Sequence, residues 1–292
     1  MEEIERLQNE PMRNHTTFKT GGPADTLYLP KNVSEITCVI EHVRKTGVPW
    51  LVMGRGSNLL VSDKGFSGVV IKLAERLAVI HIEGNTVYAD AGASLRDITA
   101  RSIDAGLSGL EFAGGIPGAL GGGVCMNAGA YGGELKDFIT FVRVLTPKGE
   151  IKDLSSAELH FSYRKSIIPE EDLVVLGAAL RLSKGDRNAS LKLLADLNQR
   201  RRDCQPLKYP SAGSTFKRPP GHFAGTLIEQ CGLKGCAAGG AMVSYKHAGF
   251  IINTGGATSA DIYALIRRVQ DEVLKKTGVA LQTEVKMIGD FS

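Results

Sequence analysis

Residues Glu111 to Gly133 constrain this chain more than any other stretch: nine of the 23 are glycine, and no charge falls between those two ends. With few side chains to pack, the backbone itself must be the useful part, because glycine reaches positive φ and lets a ligand or another backbone approach closely. Flexible linkers are rich in Ser, Gly and polar residues. Here Phe112, Ile116, Pro117, Leu120, Val124 and Met126 are interleaved with the glycines instead. The segment is expected to be a buried loop whose amides contact a large ligand, an anion or the rim of a heterocycle.

At 292 residues the chain has length for two or three domains, and 43% hydrophobic residues give it an ordinary globular core. The net charge is only +4, with the basic residues dispersed. The one basic run, Arg200-Arg201-Arg202, lies in a helical pattern beside Asp203. That favours small anionic ligands over nucleic acid, and a single Trp with 6% aromatic residues argues against a base-stacking platform. The five cysteines are odd in number and irregular in spacing, and the opening residues to Arg13 are charged throughout. Both features suggest free thiols in a reducing cytoplasm. Cys231 and Cys236 have no second pair nearby and read as structural thiols rather than metal ligands. No apolar run reaches membrane-spanning length.

Taken in order, Met1 to Asn14 reads as a short amphipathic helix or arm, and His15 as a hydrogen-bonded loop residue. Ser34 is placed to cap a helix with Ile36, Val39, Ile40 and Val43 on one face, closed by Gly47. The apolar Val48–Met53 strand runs into Gly54-Arg55-Gly56-Ser57-Asn58-Leu59. This is not a dinucleotide fingerprint, since the third glycine position is Leu59, nor a P-loop, since the Gly-Lys-Ser/Thr ending is missing. Successive amides after a strand, with the Ser57 hydroxyl and the Asn58 amide, nevertheless make a nest for a diphosphate.

Strands follow at Gly68–Leu73, Val79–Glu83 and Thr86–Ala91, then a helix from the Ser94 cap to Ala105. A hairpin over Phe141–Thr146 and Glu150–Asp153 precedes a long strand, Leu173–Leu182, and a helix, Ala189–Arg202. Lys184 to Asn188 looks like a domain boundary. Beyond it lies a second glycine/proline loop, Tyr209 to Pro220, carrying Ser214, Lys217 and Arg218. Further on come a helix near Ala224–Cys231, the segment Tyr245-Lys246-His247, a helix over Ala260–Lys276 and a closing strand, Val279–Ile288.

Five blocks in this order resemble the UDP-N-acetylenolpyruvoylglucosamine reductase family. They are Asn14-His15-Thr16-Thr17 with Gly21-Gly22, the Gly54–Asn58 turn, Gly114-Gly115-Ile116-Pro117-Gly118 through Asn127-Ala128-Gly129-Ala130-Tyr131-Gly132, Ala212-Gly213-Ser214-Thr215-Phe216-Lys217, and Thr283-Glu284-Val285. The resemblance implies an α+β chain in which a two-subdomain, vanillyl-alcohol-oxidase-like (PCMH-type) fold binds FAD and a smaller α+β domain binds substrate. The expected division is 1–72 and 73–187 for the FAD subdomains and 188–278 for the substrate domain, with the final strand, 279–292, returning to the first. NADPH is the implied hydride source and a UDP-sugar enolpyruvyl ether the implied substrate, in a monomer or weak dimer. FAD would be held by Gly54 to Leu59, Gly114 to Gly118 and Asn127 to Ala130. The short stretch from Arg164 to Leu182 resembles the subfamily without an inserted substrate-covering loop.

The family's arginine falls on Arg164, its proton-donating serine on Ser214 and its glutamate on Glu284. Adding hydride to C3 of an enolpyruvyl ether leaves charge at C2 and on the carboxylate, where a planar guanidinium is well suited. The C2 carbanion is basic enough to take a proton from a well-placed hydroxyl. Three roles suit Glu284: orienting a group, relaying a proton, or holding one. Lys217, Arg218, Tyr245 and Lys246 are candidates for the UDP diphosphate and sugar. Outside the resemblance, Arg164 also reads as a surface cation, Ser214 as a turn-capping hydroxyl and Glu284 as a strand residue paired with Lys286. Two further readings stay open. One is a flavin oxidase, for which Cys125 is the central loop's one attachment residue. The other is a colourless, non-redox nucleotide-sugar module.

Overall fold

The computed structural model describes residues 4–292, and the chain alternates between two units. The first takes the described residues up to Arg6, then 27–55 and 69–201, and the second takes 7–26, 56–68 and 202–292.

In the first unit, helix α1 (Val33–Thr46) buries Ile36, Val39, Ile40 and Val43 and ends on Gly47 at φ +68°. Its cap is Asn32, which accepts the Glu35 amide at 2.8 Å, rather than Ser34 two residues on. The strand Trp50–Met53 pairs in parallel with the Val69–Lys72 half of its neighbour. The main sheet has five antiparallel strands in the order 151–155, 139–145, 174–181, 86–90 and 80–83. Val174–Arg181 is apolar almost throughout, so it takes the centre, covered on both faces. Helix α2 (Leu95–Asp104) starts at the expected Ser94, whose hydroxyl accepts the Asp97 amide at 2.9 Å. A short helix, α3 (Leu120–Cys125), lies inside the glycine-rich segment where a loop was expected. Helix α4 (Arg187–Cys204) closes the unit and buries Leu197 and Arg201.

The second unit has its own core, drawn from Phe18, Leu60, Phe216, Val243, Ile251 and one face of α6, among others. Helix α5 (Ala224–Gln230) precedes a three-stranded meander over 237–238, 241–243 and 251–253. Helix α6 (Ser259–Thr277) buries Ile262, Leu265, Ile266, Val269 and Val273 at helical spacing and is capped by Thr258 with Asp261. Asp63 adds its carboxylate to the same end, accepting the Ser259 and Ala260 amides at 2.9 and 2.8 Å.

Two further sequence expectations change. The opening segment is a strand, Arg6–Pro11, followed by a 3-10 turn at Met12–Asn14; Met1 to Glu3 lie outside the described residues. An isolated helix this short is marginal in water, whereas the strand has Pro23–Tyr28 beside it. The closing strand is shorter than expected. Only Lys286–Ile288 is paired, in parallel with Leu59–Val61, while Thr283 makes a single bridge to Phe216. Leu281 and Val285 are still buried, so their apolar alternation reports packing rather than a ladder.

Candidate active site

In the first unit the glycine-rich segment is wedged against its neighbours. A methyl on Gly115 would lie 2.6 Å from Asn198 Oδ1 and 2.7 Å from Arg201 Nε, and one on Gly133 would lie 2.6 Å from the Phe112 ring. Many of these glycines are therefore packing positions. Arg201, itself buried, donates from Nη1 to the Gly115 carbonyl at 2.7 Å and lies 5.7 Å from the Tyr131 ring centre. One guanidinium thus ties both arms of the segment to α4. Burial lowers its pKa below the usual arginine value, with Tyr131 opposing that shift.

The two nucleotide-type turns meet here in part. Gly54 faces Ala119, where an added methyl would sit 3.1 Å from the Ala119 Cβ. Arg55 is exposed and pairs with Glu75 at 3.5 Å. Gly114 is buried, Ile116 and Gly118 are half-buried and Pro117 is exposed. The amides of Gly115, Gly118 and Ala119 donate to no acceptor among the described residues. Such a row of free N–H groups suits phosphate or heterocycle oxygens, so the residues fit FAD on this observation.

Asn127 is fully buried, with φ +39°. Its side chain is saturated by protein groups: Nδ2 donates to Glu134 Oε2 at 3.1 Å and to the Ser162 carbonyl at 3.2 Å, and Oδ1 accepts the Lys136 amide at 3.0 Å. Ala128 accepts from Leu135 and donates to Gly123, and Gly129-Ala130 pair with Gly133-Glu134. Arg164 stands at φ +55° in a tight Ser162–Lys165 turn. It donates from Nη2 to the Gly129 carbonyl at 3.1 Å and stacks 5.2 Å from the Tyr163 ring.

The second unit gathers three of the motif blocks whole and the Gly56–Asn58 end of a fourth. Asn58 Nδ2 donates to the Glu284 carbonyl at 3.1 Å, and the Asn58 carbonyl accepts the Lys286 amide at 3.0 Å. The Glu284 amide donates to the Thr215 carbonyl at 2.8 Å, beside Ser214. Thr17 donates its amide to the Gly56 carbonyl at 3.2 Å, and the buried Thr17 hydroxyl has no partner among the described residues. The Gly56, Ser57 and Asn58 amides likewise lack acceptors, while Leu59 begins the strand paired with Lys286. Ser214 is exposed, and Gly213 before it has open space at φ +74°.

Of the expected substrate contacts, Lys217 is half-buried and donates its amide to Gln282, and Arg218 lies 4.6 Å from the Phe223 ring centre. Tyr245 is exposed against Gly235, and the Lys246 ammonium holds the Arg202 carbonyl. Sequence reasoning passed over His247. Its Nδ1 accepts the Gly249 amide at 3.1 Å, and the Gly249 carbonyl in turn accepts the Thr215 amide at 2.8 Å. Burial lowers its pKa below the usual imidazole value, and nearby Lys234 adds to that.

Residues 205–288 match a family model described as the UDP-N-acetylenolpyruvoylglucosamine reductase C-terminal domain, and residues 24–155 match an FAD binding domain. The chain is 51% identical over 282 residues to the UDP-N-acetylenolpyruvoylglucosamine reductase of Caldanaerobacter subterraneus subsp. tengcongensis, covering 97% of this chain and 93% of that one. It is 48% identical over 287 residues to the protein of the same name from Syntrophomonas wolfei, covering 98% and 96%. The crystal structure of UDP-N-acetylenolpyruvylglucosamine reductase from Thermus caldophilus superposes with a TM-score of 0.84 at 37% identity, covering 98% of this chain and 99% of that one.

Proposed function

From the premise that this chain belongs to the UDP-N-acetylenolpyruvoylglucosamine reductase family, we propose a role for each group of its site. The chain is an FAD-containing, NADPH-dependent oxidoreductase that reduces UDP-N-acetylglucosamine enolpyruvate to UDP-N-acetylmuramate for peptidoglycan synthesis. Its α+β fold joins a vanillyl-alcohol-oxidase-like FAD-binding part to a smaller substrate domain. We assign 1–72 and 73–187 to the two FAD subdomains and 188–278 to the substrate domain, with 279–292 returned to the first. The pairing of Lys286–Ile288 with Leu59–Val61 supports that return.

When bound, FAD supplies the route by which a hydride equivalent from NADPH reaches the enol ether. The free amides at Gly115, Gly118, Gly56, Ser57 and Asn58 support its placement along Gly54–Leu59 and Gly114–Gly118, and family membership adds Asn127–Ala130. Once C3 of the enolpyruvyl group has gained hydrogen, negative charge develops at C2 and on the carboxylate. Arg164 holds that carboxylate, where a preorganised cation is worth most as the charge develops. Ser214 delivers the proton to C2, and the space left by Gly213 suits that approach. Glu284 completes the group as the carboxyl that takes part in proton delivery. Lys217, Arg218, Tyr245 and Lys246 hold the diphosphate and sugar.

The observation that carries this reading is the knot of Asn58, Thr215 and Glu284, in which the main chain of Glu284 is hydrogen-bonded both to the Asn58 side chain and to the residue after Ser214. The cytoplasm, where NADPH and UDP-sugars are made, is the proposed location, and the protein is proposed to act as a monomer or weak dimer. None of the helices among the described residues is long and apolar enough to cross a membrane. The test is a visible spectrum taken before and after anaerobic NADPH, then with the UDP-enolpyruvyl sugar. Yellow protein that bleaches with NADPH and recovers with the sugar meets the proposal. Recovery with oxygen alone points to an oxidase, and a colourless protein that takes up no FAD overturns it.

A further inference from the structure

Arg164 is held in a conformation that arginine seldom adopts. A positive φ is sterically unfavourable for a residue with a Cβ and persists only where the surroundings over-determine it. Three interactions do so here. Ser162 and Lys165 exchange backbone hydrogen bonds at 3.1 and 3.2 Å, closing the turn with Arg164 inside it. The Ser162 carbonyl also accepts from the buried Asn127 amide, and Arg164 itself donates to the Gly129 carbonyl.

Both anchors lead to Glu134. Its Oε2 accepts the second Nδ2 hydrogen of Asn127, so the amide is shared between the turn and this carboxylate. Its Cγ lies 2.9 Å from where a Gly129 Cβ would stand, so the Glu134 stem lies against the peptide that receives Arg164. Glu134 also caps the turn at Leu135–Asp137, in a reciprocal pair with Asp137. Its acidity is strengthened by Lys136 first, then by Asn127 and, through charge, by Arg164. Every polar atom of the Asn127 side chain is satisfied, and a fully satisfied buried network rigidifies what it touches.

We propose that Asn127 and Glu134 are positioning residues for Arg164, a brace that fixes the Ser162–Lys165 turn and with it the guanidinium that meets the substrate carboxylate. The brace acts on the second half of the reaction and leaves the first to the flavin loops. This inference rests on the role of Arg164 proposed above.

The test uses the FAD-loaded protein and anaerobic stopped-flow, reading bleaching by NADPH separately from recovery with the UDP-enolpyruvyl sugar. Glu134 is partly exposed, so Glu134→Ala is the first variant and retained flavin reports its fold. Recovery is expected to slow about 10- to 100-fold, as a displacement of the order of an ångström would cause, with bleaching unchanged. Glu134→Gln keeps the acceptor for Asn127 and is expected to restore most of the rate. Lys136→Met removes the 2.8 Å ion pair to Glu134 but not the Lys136 amide, and is expected to recover at the unmodified rate. Added to Arg164→Ala, Glu134→Ala is expected to cost nothing more, the mark of two residues acting as one. Equal slowing of both halves, additive losses, or a Glu134→Gln protein as slow as Glu134→Ala would overturn the brace while leaving Arg164 in place. An Arg164→Ala protein that recovers normally removes both the brace and the proposed role of Arg164.

Discussion

The side-chain amide of Asn58 donates to the main-chain carbonyl of Glu284 at 3.1 Å, joining two positions 226 residues apart in the chain. The same asparagine accepts the Lys286 amide through its own carbonyl. It therefore grips the terminal segment on both sides of Val285, and the glutamate's place depends on the Gly54–Leu59 turn. Asn58→Ala is expected to lower stability by about 1 kcal/mol, the usual net worth of one intramolecular hydrogen bond. Asn58→Asp should cost more, since a carboxylate would then face a carbonyl oxygen. Urea denaturation of the three proteins, compared by midpoint, checks the order.

Ser214→Ala removes a hydroxyl from an exposed loop position, so folding should be unaffected to within about 0.5 kcal/mol. Bleaching by NADPH should proceed normally. Recovery with the UDP-enolpyruvyl sugar should fall by about 100- to 10,000-fold, the range for loss of a positioned proton donor. Stopped-flow absorbance separates the two steps, and unchanged recovery would take Ser214 out of the mechanism.

His247 makes the second unit sensitive to acid. Burial holds its pKa below the ordinary 6.5, and protonating Nδ1 would destroy its acceptance of the Gly249 amide. The unfolded chain takes up this proton first as pH falls. Stability from this group is therefore complete above about pH 6.5 and declines below it until the lower folded value is reached, at no more than about 1.4 kcal/mol per pH unit. Thermal unfolding measured on either side of that pH should show the decline, and His247→Asn should flatten it.

Arg201→Met leaves the Gly115 carbonyl without its 2.7 Å donor and removes the cation from the Tyr131 ring. A loss of about 1–3 kcal/mol is expected from the unpaired buried group, together with weaker retention of flavin on gel filtration. Arg201→Lys should recover little, because a point charge cannot reproduce the planar fork that reaches both partners.

Local signals in the sequence were dependable where the structure is itself local. Ser94 with Asp97, the Gly47 stop, the hairpin around Pro147-Lys148-Gly149 and the long apolar strand at 174–181 all lie where the pattern put them, with the α1 cap displaced by two residues to Asn32. Helix α3 escaped notice because three of its six residues are glycine, the poorest helix former after proline, and its contacts to Ala91, Leu95 and Leu135 compensate. The Arg6–Pro11 strand was misread because its strand partner lies beyond any local window. In the site, residue types and spacing pointed to Ser214, Arg164 and Glu284 only through family resemblance. Arg201 and His247 were missed because their meaning lies in contacts with Gly115 and Gly249 that no spacing rule announces. Asn127 was legible as part of a glycine-rich motif, but its saturated amide was not.

The parallel pairing of Leu59–Val61 with Lys286–Ile288 bears on how the protein is made. At ribosomal speeds of about 5–20 residues per second, some ten to forty-five seconds separate the emergence of these two strands. Through that interval the earlier strand has no ladder on that edge, and Phe18 and Leu60 wait for most of the core they belong to. The first unit, whose residues are all made by Arg201, is free to fold while the second is still being synthesised. Truncation a few residues before Ile288 should therefore leave a nascent chain half folded and dependent on chaperones, with its Leu59–Val61 edge open to other chains.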